Sequence, residues 1–321
     1  MQDFLVSYDN VCLRPRHSSL VSRSLANTSI DFCGYDFKLP VVPANMTDVI
    51  SFKNAEYLSK NGYFYIMHRF NGAIKKFGEY ALMEELPVIS LSIGVNEEAR
   101  DDISAVCAGL RNSDRDVDFI TIDVAHGDHD NVKNMVNWLH DYFDGWDSKP
   151  KIIAGNIATV DGYKFLCGLG VDAVKVGIGG GSICSTRYKT GFHLPTAASI
   201  LECRCAGIDI PIIADGGAKY FGDVAKALAL GADMVMSGRW FAECIDSPAE
   251  IRNGKKIYRG STSYESKGHN NHVEGHTLEI SEGCTYAERL IEIQQALSSA
   301  ISYAGGKDLS ALQHVDFELI Q

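Results

Sequence analysis

Hydroxyl, thiol and guanidinium side chains follow a glycine-rich turn in the middle of the chain. Residues 172–187 begin as an apolar strand, place four glycines between positions 177 and 181, and then present Ser182, Cys184, Thr186 and Arg187. Consecutive backbone N–H groups in such a turn bind anions, and positive dipoles favour the thiolate form of a nearby cysteine. The pattern therefore predicts a phosphate site beside a nucleophilic thiol. A tight turn that carries a buried, inert cysteine is the alternative interpretation.

Eight short apolar segments alternate with helical patterns and predict the elements that position this turn. Eight such units indicate an α/β fold, a (β/α)8 TIM barrel, in which chemistry gathers on loops at the carboxyl ends of the strands. A doubly wound sheet is the competing fold, but Ser182 stands where the third glycine of a dinucleotide fingerprint would be. The predicted strands are 41–43, 64–67, 88–92, 119–122, 152–154, 173–176, 212–214 and 234–236, and the clearest helices are 52–60, 132–142, 160–167, 196–205 and 222–230.

Polar or glycine-bearing sequences follow most of these strands and mark the candidate site. Glycine-bearing loops after the seventh and eighth strands of a barrel commonly bind phosphate, and Arg239 adds a charge to the second of them. The strand ends are Asn45-Met46, His68-Arg69, Asp123-Val124-Ala125-His126, Gly155-Asn156, Asp215-Gly216-Gly217 and Gly238-Arg239.

Two regions lie outside the barrel pattern. The first forty residues are irregular but contain apolar residues throughout, which predicts an arm lying over the fold. After residue 251, Asn253-Gly254 predicts a hairpin turn, and the polar segment that follows predicts a flap, about 251–285, over the active face. Residues 286–303 predict an amphipathic helix that ends at Gly305. We expect residues 1–321 to form one barrel domain without an inserted regulatory domain.

Composition limits the classes of partner. The chain has 321 residues, of which 45% are hydrophobic and 22% are charged, as in ordinary soluble proteins. A net charge of -11 argues against nucleic-acid or membrane partners, so local groups must hold any phosphate. The nine cysteines form no Cys-x-x-Cys pair, and no leader-like or membrane-spanning stretch is evident, so we expect a cytoplasmic location.

Together these motifs make the chain similar to the IMP dehydrogenase / GMP reductase family over nearly its whole length. The family places a Gly-x-Gly-x-Gly-Ser-x-Cys-x-Thr loop after barrel strand six, and residues 177–186 match it. The other matches are Tyr-Asp-Asn-Val-Cys-Leu-Arg-Pro at 8–15, Asn45-Met46, Asp-Val-Ala-His-Gly at 123–127, Ala-Asp-Gly-Gly at 214–217, Glu274-Gly275 and Ser-Ser-Ala-Ile-Ser-Tyr-Ala-Gly-Gly at 298–306.

Several features resemble the reductase branch more than the dehydrogenase branch. Dehydrogenases usually carry an inserted domain and an Arg-Tyr pair in the flap that activates water. This chain has neither an insertion nor any arginine between Gly260 and Glu288. Residues 184–191 and 66–70 are also closer to reductases. The resemblance implies reductive deamination of GMP. Two alternatives stay open: an IMP dehydrogenase or relative acting on another purine nucleotide, and a non-catalytic nucleotide sensor.

The resemblance implies roles for individual residues. Cys184 attacks C2 of the purine and a thioimidate follows the loss of ammonia, while Thr186 and Glu274 handle the proton of the leaving group. The implied nucleotide-binding residues are Asn45, Met46, Ser182, Asp215, Gly216, Gly217, Gly238, Arg239, Gly260, Ser261, Thr262 and Gly275.

The resemblance also implies a cofactor, an ion and an oligomer. The cofactor is NADPH, although Asn271 stands where reductases have a basic residue, which leaves the choice between NADPH and NADH open. A potassium ion matches the positions of Gly179, Gly181, Cys184 and Arg187, whose carbonyl groups suit such an ion. The purine nucleotide is GMP or IMP, and the assembly is a homotetramer in which a neighbouring copy contributes to each cofactor site. The implied cofactor residues are Arg69, Asp123, Val124, Ala125, His126 and Gly177, with Ser299 and Tyr303 of the neighbour.

Overall fold

Residues 6–40 form an arm on the outside of the fold, as predicted for this part of the chain. The computed structural model describes residues 6–260 and 275–320. Within the arm, strand β1 (Val11–Leu13) pairs antiparallel with Phe317–Leu319 near the C-terminus. The Tyr8 ring is buried, and the backbone carbonyl of Tyr8 accepts a 2.7 Å hydrogen bond from the Lys226 ammonium. The arm is therefore fastened to the body of the protein by both strand pairing and side-chain contacts.

A short hairpin closes the amino-terminal end of the barrel. Strands β2 (Ile30–Phe32) and β3 (Tyr35–Phe37) pair antiparallel and insert their aromatic rings beneath the sheet. The ring centroids of Phe32, Phe37 and Phe119 each lie within 5.2 Å of the Phe64 ring centroid. Tilted and edge-on aromatic packing at these distances is favourable. Among the described residues, these rings fill this end of the barrel.

Seven parallel strands form the curled wall of the α/β TIM barrel. Their order is β4-β10-β9-β8-β7-β6-β5, and β4 pairs with β10, so the first and last strands of the pattern are neighbours. The strands are almost wholly buried, as in barrels covered by helices. Their bounds are β4 (Val41–Pro43), β5 (Ser90–Ile93), β6 (Phe119–Asp123), β7 (Lys151–Ile157), β8 (Ala173–Val176), β9 (Ile212–Asp215) and β10 (Met234–Ser237).

The second predicted strand, residues 64–67, is reduced to a single bridge between Met67 and Leu91. The cause is competition from side chains. The Tyr65 hydroxyl donates to the Val88 carbonyl at 2.6 Å, and the Ser59 hydroxyl accepts the Val88 N–H at 3.0 Å. Because the backbone groups of Val88 are satisfied in this way, β5 begins two residues later than the pattern predicted, at Ser90.

Helices cover the wall, and several begin at the side chains expected to cap them. Ser51, Asn96, Thr159 and Thr285 each accept a backbone N–H from the first turn of their helix. The helices are α1 (Phe52–Lys60), α2 (Ala73–Met83), α3 (Glu97–Arg111), α4 (Asp130–Tyr142), α5 (Val160–Gly168), α6 (Thr186–Lys189), α7 (Thr196–Arg204), α8 (Gly222–Leu230), α9 (Arg239–Ala242), α10 (Tyr286–Tyr303) and α11 (Ser310–Gln313).

An aspartate precedes β6, β8 and β10 and joins each of these strands to its neighbour at the amino-terminal end of the barrel. The carboxylates of Asp118, Asp172 and Asp233 accept the N–H groups of Ile89, Ile152 and Ile212 at 2.7, 2.8 and 2.8 Å. In each pair the aspartate N–H returns a hydrogen bond to the carbonyl of the same isoleucine. These three reciprocal pairs, which we call the aspartate clamps, fix the register of β5–β6, β7–β8 and β9–β10.

The segment after the barrel forms a small antiparallel sheet. Strands β11 (Ile251–Arg252), β12 (Lys255–Arg259) and β13 (Thr277–Ile280) lie side by side, with the predicted turn at Asn253 and Gly254. The last strand, β14 (Phe317–Leu319), is the partner of β1. The predicted C-terminal helix is confirmed with the same bounds, and Gly305 follows it with φ +82°.

Candidate active site

A cavity of about 770 Å³ opens at the carboxyl ends of the barrel strands. Most residues singled out from the sequence meet around it, although they come from eight different parts of the chain. The predicted site residues that line it are Asn45, Met46, Arg69, Asp123, Val124, Ala125, Gly177, Gly179, Gly181, Cys184, Thr186, Asp215, Gly216, Gly238, Gly260 and Gly275.

The Cys184 thiol lies at the wall of this cavity beside the Thr186 hydroxyl. The sulfur is 3.2 Å from Thr186 Oγ1, and both side chains are half-buried. The backbone of Cys184 forms an antiparallel bridge with Gly275, and the His276 N–H donates to the Ile183 carbonyl at 2.9 Å. The cysteine loop is therefore held from outside by the chain that follows position 274, with its thiol and hydroxyl facing the same space.

A buried lysine stands at the centre of the site. Lys175 lies on β8 with its side chain 2% exposed, and its ammonium is 2.6 Å from the Asp123 carboxylate and 3.3 Å from the Asp215 carboxylate. The Asn45 side-chain oxygen is 3.5 Å from the same nitrogen. One cation thus connects the ends of β6 and β9 with the loop after β4.

The charges of this group support one another against burial. Burial disfavours the charged form of Lys175, but the carboxylates of Asp123 and Asp215 outweigh it and raise the pKa of Lys175 above its ordinary value. Burial likewise opposes ionisation of Asp123, yet the adjacent Lys175 ammonium and the Arg69 guanidinium lower the pKa of Asp123. Both groups are consequently charged at neutral pH.

A second contact fixes the Asp215 carboxylate. The Asn156 amide donates at 2.8 Å to Asp215 and at 2.8 Å to the Gly177 carbonyl, which ties β9 to the start of the cysteine loop. Gly177 adopts φ +148°, and a Cβ there would overlap the Asp215 carbonyl oxygen. Only glycine permits this approach, so the first residue of the cysteine loop positions that loop against β9.

The two glycine loops predicted to hold phosphate lie next to the cysteine loop. A Cβ on Gly216 would lie 3.0 Å from the Gly181 nitrogen, and Gly238 lies against the Tyr258 hydroxyl. Ser182, Gly217 and Arg239 do not line the cavity itself. Ser182 and Arg239 are exposed, Gly217 packs against Thr196, and Arg239 forms a 2.9 Å ion pair with Glu243.

Other predicted residues are placed less centrally. His126 and Arg187 are exposed, and the Arg187 guanidinium lies 4.4 Å from the Tyr188 ring centroid. Ser299 and Tyr303 lie on α10 outside the cavity of their own chain, where Tyr303 is 69% exposed. The predicted residues Ser261, Thr262 and Glu274 lie outside the described residues.

Sequence reasoning assigned no role to three residues of the site. Lys175 could have been noticed as the one charged residue inside an otherwise apolar strand. Asn156 was identified at a strand end, but nothing in the sequence indicated its two contacts. Tyr258 lines the cavity from β12 and is buried, and this burial raises the pKa of its hydroxyl. Its participation depends on how the small antiparallel sheet folds back over the barrel.

Two kinds of feature are absent from the described residues. No helix there is long and apolar enough to cross a membrane. Within residues 6–260 and 275–320, no group of three or more His, Cys, Asp or Glu side chains is arranged to hold a metal ion. A site for a monovalent ion that consists of backbone carbonyl groups needs none of these side chains, so this finding does not bear on it.

Comparison with known proteins gives a consistent result. A family model described as the IMP dehydrogenase / GMP reductase domain matches residues 5–321. A GMP reductase of Staphylococcus carnosus is 41% identical, over 99% of this chain and 97% of the relative. A GMP reductase of Oenococcus oeni is 43% identical over 98% of this chain and 96% of the relative. One from Streptococcus pyogenes is 39% identical over 98% and 94%.

Proposed function

Because the chain belongs to the IMP dehydrogenase / GMP reductase family, we propose that it is a GMP reductase, which converts GMP to IMP and ammonia with NADPH. The observation that carries this proposal is the Cys184 thiol, 3.2 Å from the Thr186 hydroxyl at the wall of the cavity. A thiol in this position can attack a bound purine, while the neighbouring hydroxyl can move a proton.

The nucleotide occupies the space between the cysteine loop and the ends of β9 and β10. Asp215 accepts hydrogen bonds from the ribose hydroxyls, since its carboxylate lines the cavity and is held by Asn156. Ser182, Gly217, Gly238 and Arg239 hold the phosphate, because their loops surround one side of the cavity and supply N–H groups and a guanidinium. The remaining residues proposed to contact the nucleotide are Asn45, Met46, Gly216, Gly260, Ser261, Thr262 and Gly275.

The chemistry proceeds in two steps at purine C2. The Cys184 thiolate forms a C–S bond to C2, and the amino group leaves as ammonia after it accepts a proton, which produces a thioimidate. When bound, NADPH supplies a hydride to C2. The C–S bond then breaks, Cys184 leaves as thiolate, and IMP is released. One hydride and one proton are consumed for each ammonia formed.

We propose that Thr186 and Glu274 protonate the leaving group. An amine leaves poorly unless it is protonated, so an acid must lie near C2. Thr186 Oγ1 lies 3.2 Å from the sulfur at the wall of the cavity. We propose that Glu274 delivers the proton through it. The chain contains no arginine from Gly260 to Glu288 that could activate water against the thioimidate, and this favours transfer of hydride over hydrolysis.

The donor set beside Asp123 suits a nicotinamide. The Asp123 carboxylate can accept the N–H groups of a carboxamide, and the buried Arg69 Nε has no hydrogen-bond partner among the described residues. Arg69, Asp123, Val124, Ala125, His126 and Gly177 are the proposed cofactor residues. Ser299 and Tyr303 of a neighbouring copy complete the site. We therefore propose a homo-oligomer, with a tetramer as the expected size.

We further propose a monovalent cation, potassium, on the carbonyl groups of Gly179, Gly181 and Cys184, near Arg187. Backbone carbonyls suit a weakly hydrated ion, and Gly179 with φ +80° turns the loop at this point. Replacement of potassium by lithium in the assay buffer should lower turnover. Equal rates in both salts would contradict this part of the proposal.

Two coarser features are also proposed. We propose that residues 1–321 form one barrel domain whose flap comprises about 251–285. We propose a cytoplasmic location, because all nine cysteines, each within the described part of the chain, are free thiols.

The test is an assay of NADPH oxidation with GMP, with IMP measured as the product and dGMP as a parallel substrate. The proposal predicts oxidation that depends on GMP and releases equimolar ammonia. In a second arm the protein receives IMP and NAD⁺. Formation of NADH there without turnover of GMP would replace the proposed function with that of a dehydrogenase. Binding of nucleotide without turnover in either arm would identify a sensor.

A further inference from the structure

Lys175 has a bonding arrangement that packing alone does not explain. Its ammonium carries three N–H donors, and three acceptors surround it: the carboxylates of Asp123 and Asp215 and the Asn45 side-chain oxygen. These acceptors belong to three separate strand ends. The backbone of β7 restricts the position of Lys175 Cβ, because a Cβ added to Gly155 would be 2.5 Å from that atom.

Stability alone would favour a different residue at this position. A buried ion pair is often replaced by well-packed apolar side chains at no loss of stability. Ala173, which lies on the same face of β8 as Lys175, is apolar and fully buried, so this face accommodates an apolar residue. A lysine here therefore indicates a requirement for charge at the floor of the cavity.

The requirement follows from the two carboxylates. Asp123 and Asp215 both lie within 3.3 Å of a single nitrogen atom and face the same cavity. Two carboxylates that share a site repel each other, and one of them takes up a proton unless a cation separates them. Under the proposed function both must be ionised, because one accepts from the cofactor carboxamide and the other from the ribose.

Resting on the proposed function, we propose that Lys175 is a positioning residue that keeps Asp123 and Asp215 ionised together and sets the spacing between the cofactor and the nucleotide. It contacts neither substrate. Its effect passes through the carboxylates, so it couples the two halves of the site.

Other groups around this cluster do not substitute for the ammonium. The Arg69 guanidinium also lowers the pKa of Asp123, but less than Lys175 does. Burial raises the pKa of both Tyr8 and Tyr258. The negative charges of Asp223 and Asp215 add to this effect at Tyr8, and that of Asp215 adds to it at Tyr258, so these hydroxyls stay neutral. The remaining charged group along the cavity is Glu98, at its outer side among the described lining residues.

The test compares Lys175→Met with Lys175→Arg. Removal of the ammonium takes away the largest of the interactions that oppose the burial of Asp123, so the pKa of Asp123 rises. As the pH falls, Asp123 is then protonated, and activity is lost, at a higher pH than in the wild type. The acid limb of the kcat/KM profile therefore moves up by about 1–3 pH units. Lys175→Arg keeps the charge and should keep the wild-type acid limb even where kcat falls. Lys175→Gln is neutral but can donate hydrogen bonds, and its acid limb should shift as in the methionine variant. It replaces the methionine variant in this test if that variant does not fold.

Lys256→Met is the matched control. Lys256 is also buried, but its ammonium donates to the carbonyls of Ile245 and Ser247 and to the Ser247 hydroxyl. Its replacement should lower the free energy of unfolding and leave the acid limb where it is. An acid limb that stays in place in a folded Lys175→Met or Lys175→Gln enzyme would overturn the proposal.

A measurement without ligand separates this proposal from the proposed function. Wild-type Asp123, with its lowered pKa, contributes stability at pH values above the ordinary aspartate pKa and loses it in acid. In Lys175→Met the buried Asp123 carboxylate lacks the ammonium, so its ionisation destabilises the folded protein, and this destabilisation grows as pH rises. The difference in unfolding free energy between wild type and variant should therefore increase from about pH 4 to pH 7. A constant difference refutes the role of Lys175, whereas absent GMP turnover in the wild type refutes only the proposed function.

Discussion

At the scale of single residues, the site pairs a thiol with a hydroxyl two positions later. Cys184 and Thr186 lie on either side of the start of α6, which brings their side chains to 3.2 Å. The sequence spacing predicted this pairing correctly because the contact is local. Their catalytic roles stay predictions, and each can be tested separately.

Cys184→Ala should abolish turnover while nucleotide binding persists. Loss of a covalent nucleophile lowers kcat by a factor on the order of 10³ or more. The ribose and phosphate contacts do not involve the thiol, so the Kd for GMP, measured by calorimetry, should change little. Turnover within about tenfold of wild type would exclude a covalent role for this cysteine.

Thr186→Val should lower kcat by about 10²-fold, because the proton on the leaving group would lack its donor. Thr186→Ser keeps a hydroxyl and is the matched variant, expected to retain most of the activity. Steady-state kinetics with GMP as varied substrate checks both variants. If the valine variant keeps the wild-type kcat while the serine variant is slow, the methyl group and its packing matter rather than the hydroxyl.

Lys175 shows where residue-level prediction stopped. Its partners are 52 and 130 residues away in sequence, at Asp123 and Asn45. No local pattern encodes such contacts, since they exist only after the barrel closes. The sequence did identify both partners, because each directly follows a predicted strand.

At the scale of elements, short apolar segments predicted all seven strands of the sheet, apart from shifts at their ends. Helical periodicity predicted α1, α4, α5, α7, α8 and α10 but not α2. The exception, residues 64–67, was predicted as a full strand from its apolar residues. In the structure the hydroxyls of Ser59 and Tyr65 occupy the backbone groups of Val88. Apolar composition cannot reveal this competition, because it depends on which side chains face the neighbouring backbone.

The aspartate clamps lead to a prediction about stability. Asp233→Ala removes the acceptor for the Ile212 N–H and for Arg204. We expect the free energy of unfolding to fall by about 2 kcal/mol, as for a buried hydrogen-bonded group left unpaired. KM for GMP should not change, because the clamp lies at the opposite end of the barrel from the cavity. Denaturant unfolding measures the loss.

The exposed neighbour Asp209 offers the control for this experiment. Asp209→Ala should alter the free energy of unfolding by less than about 0.5 kcal/mol. Equal effects of the two substitutions would show that the clamp does not fix the register of β9 and β10.

At the scale of the whole molecule, two predicted cofactor residues lie where their own chain cannot use them. The Ser299 hydroxyl accepts a 3.2 Å hydrogen bond from Arg23, and Tyr303 projects outward from the end of α10. Sequence similarity assigned them to the site of a neighbouring copy. Their position outside the cavity is compatible with that assignment and requires an assembly to test it.

Mixing an impaired and an inactive variant, at an NADPH concentration below the KM of the impaired one, tests the shared site. Tyr303→Ala should raise KM for NADPH about tenfold, equivalent to about 1.4 kcal/mol, and Cys184→Ala should be inactive. Co-assembled subunits should recover activity, since some sites then combine an intact thiol with an intact neighbouring tyrosine. Activity equal to the sum of the separate variants would place Tyr303 outside the catalytic site.

The most direct test of the whole account is the rate of NADPH oxidation upon addition of GMP, followed together with the release of ammonia. The account predicts that NADPH oxidation starts only when GMP is present and that one ammonia is released per NADPH oxidised. It also predicts that the Cys184→Ala protein oxidises no NADPH. Oxidation without ammonia, or no oxidation with GMP while IMP and NAD⁺ yield NADH, would contradict it.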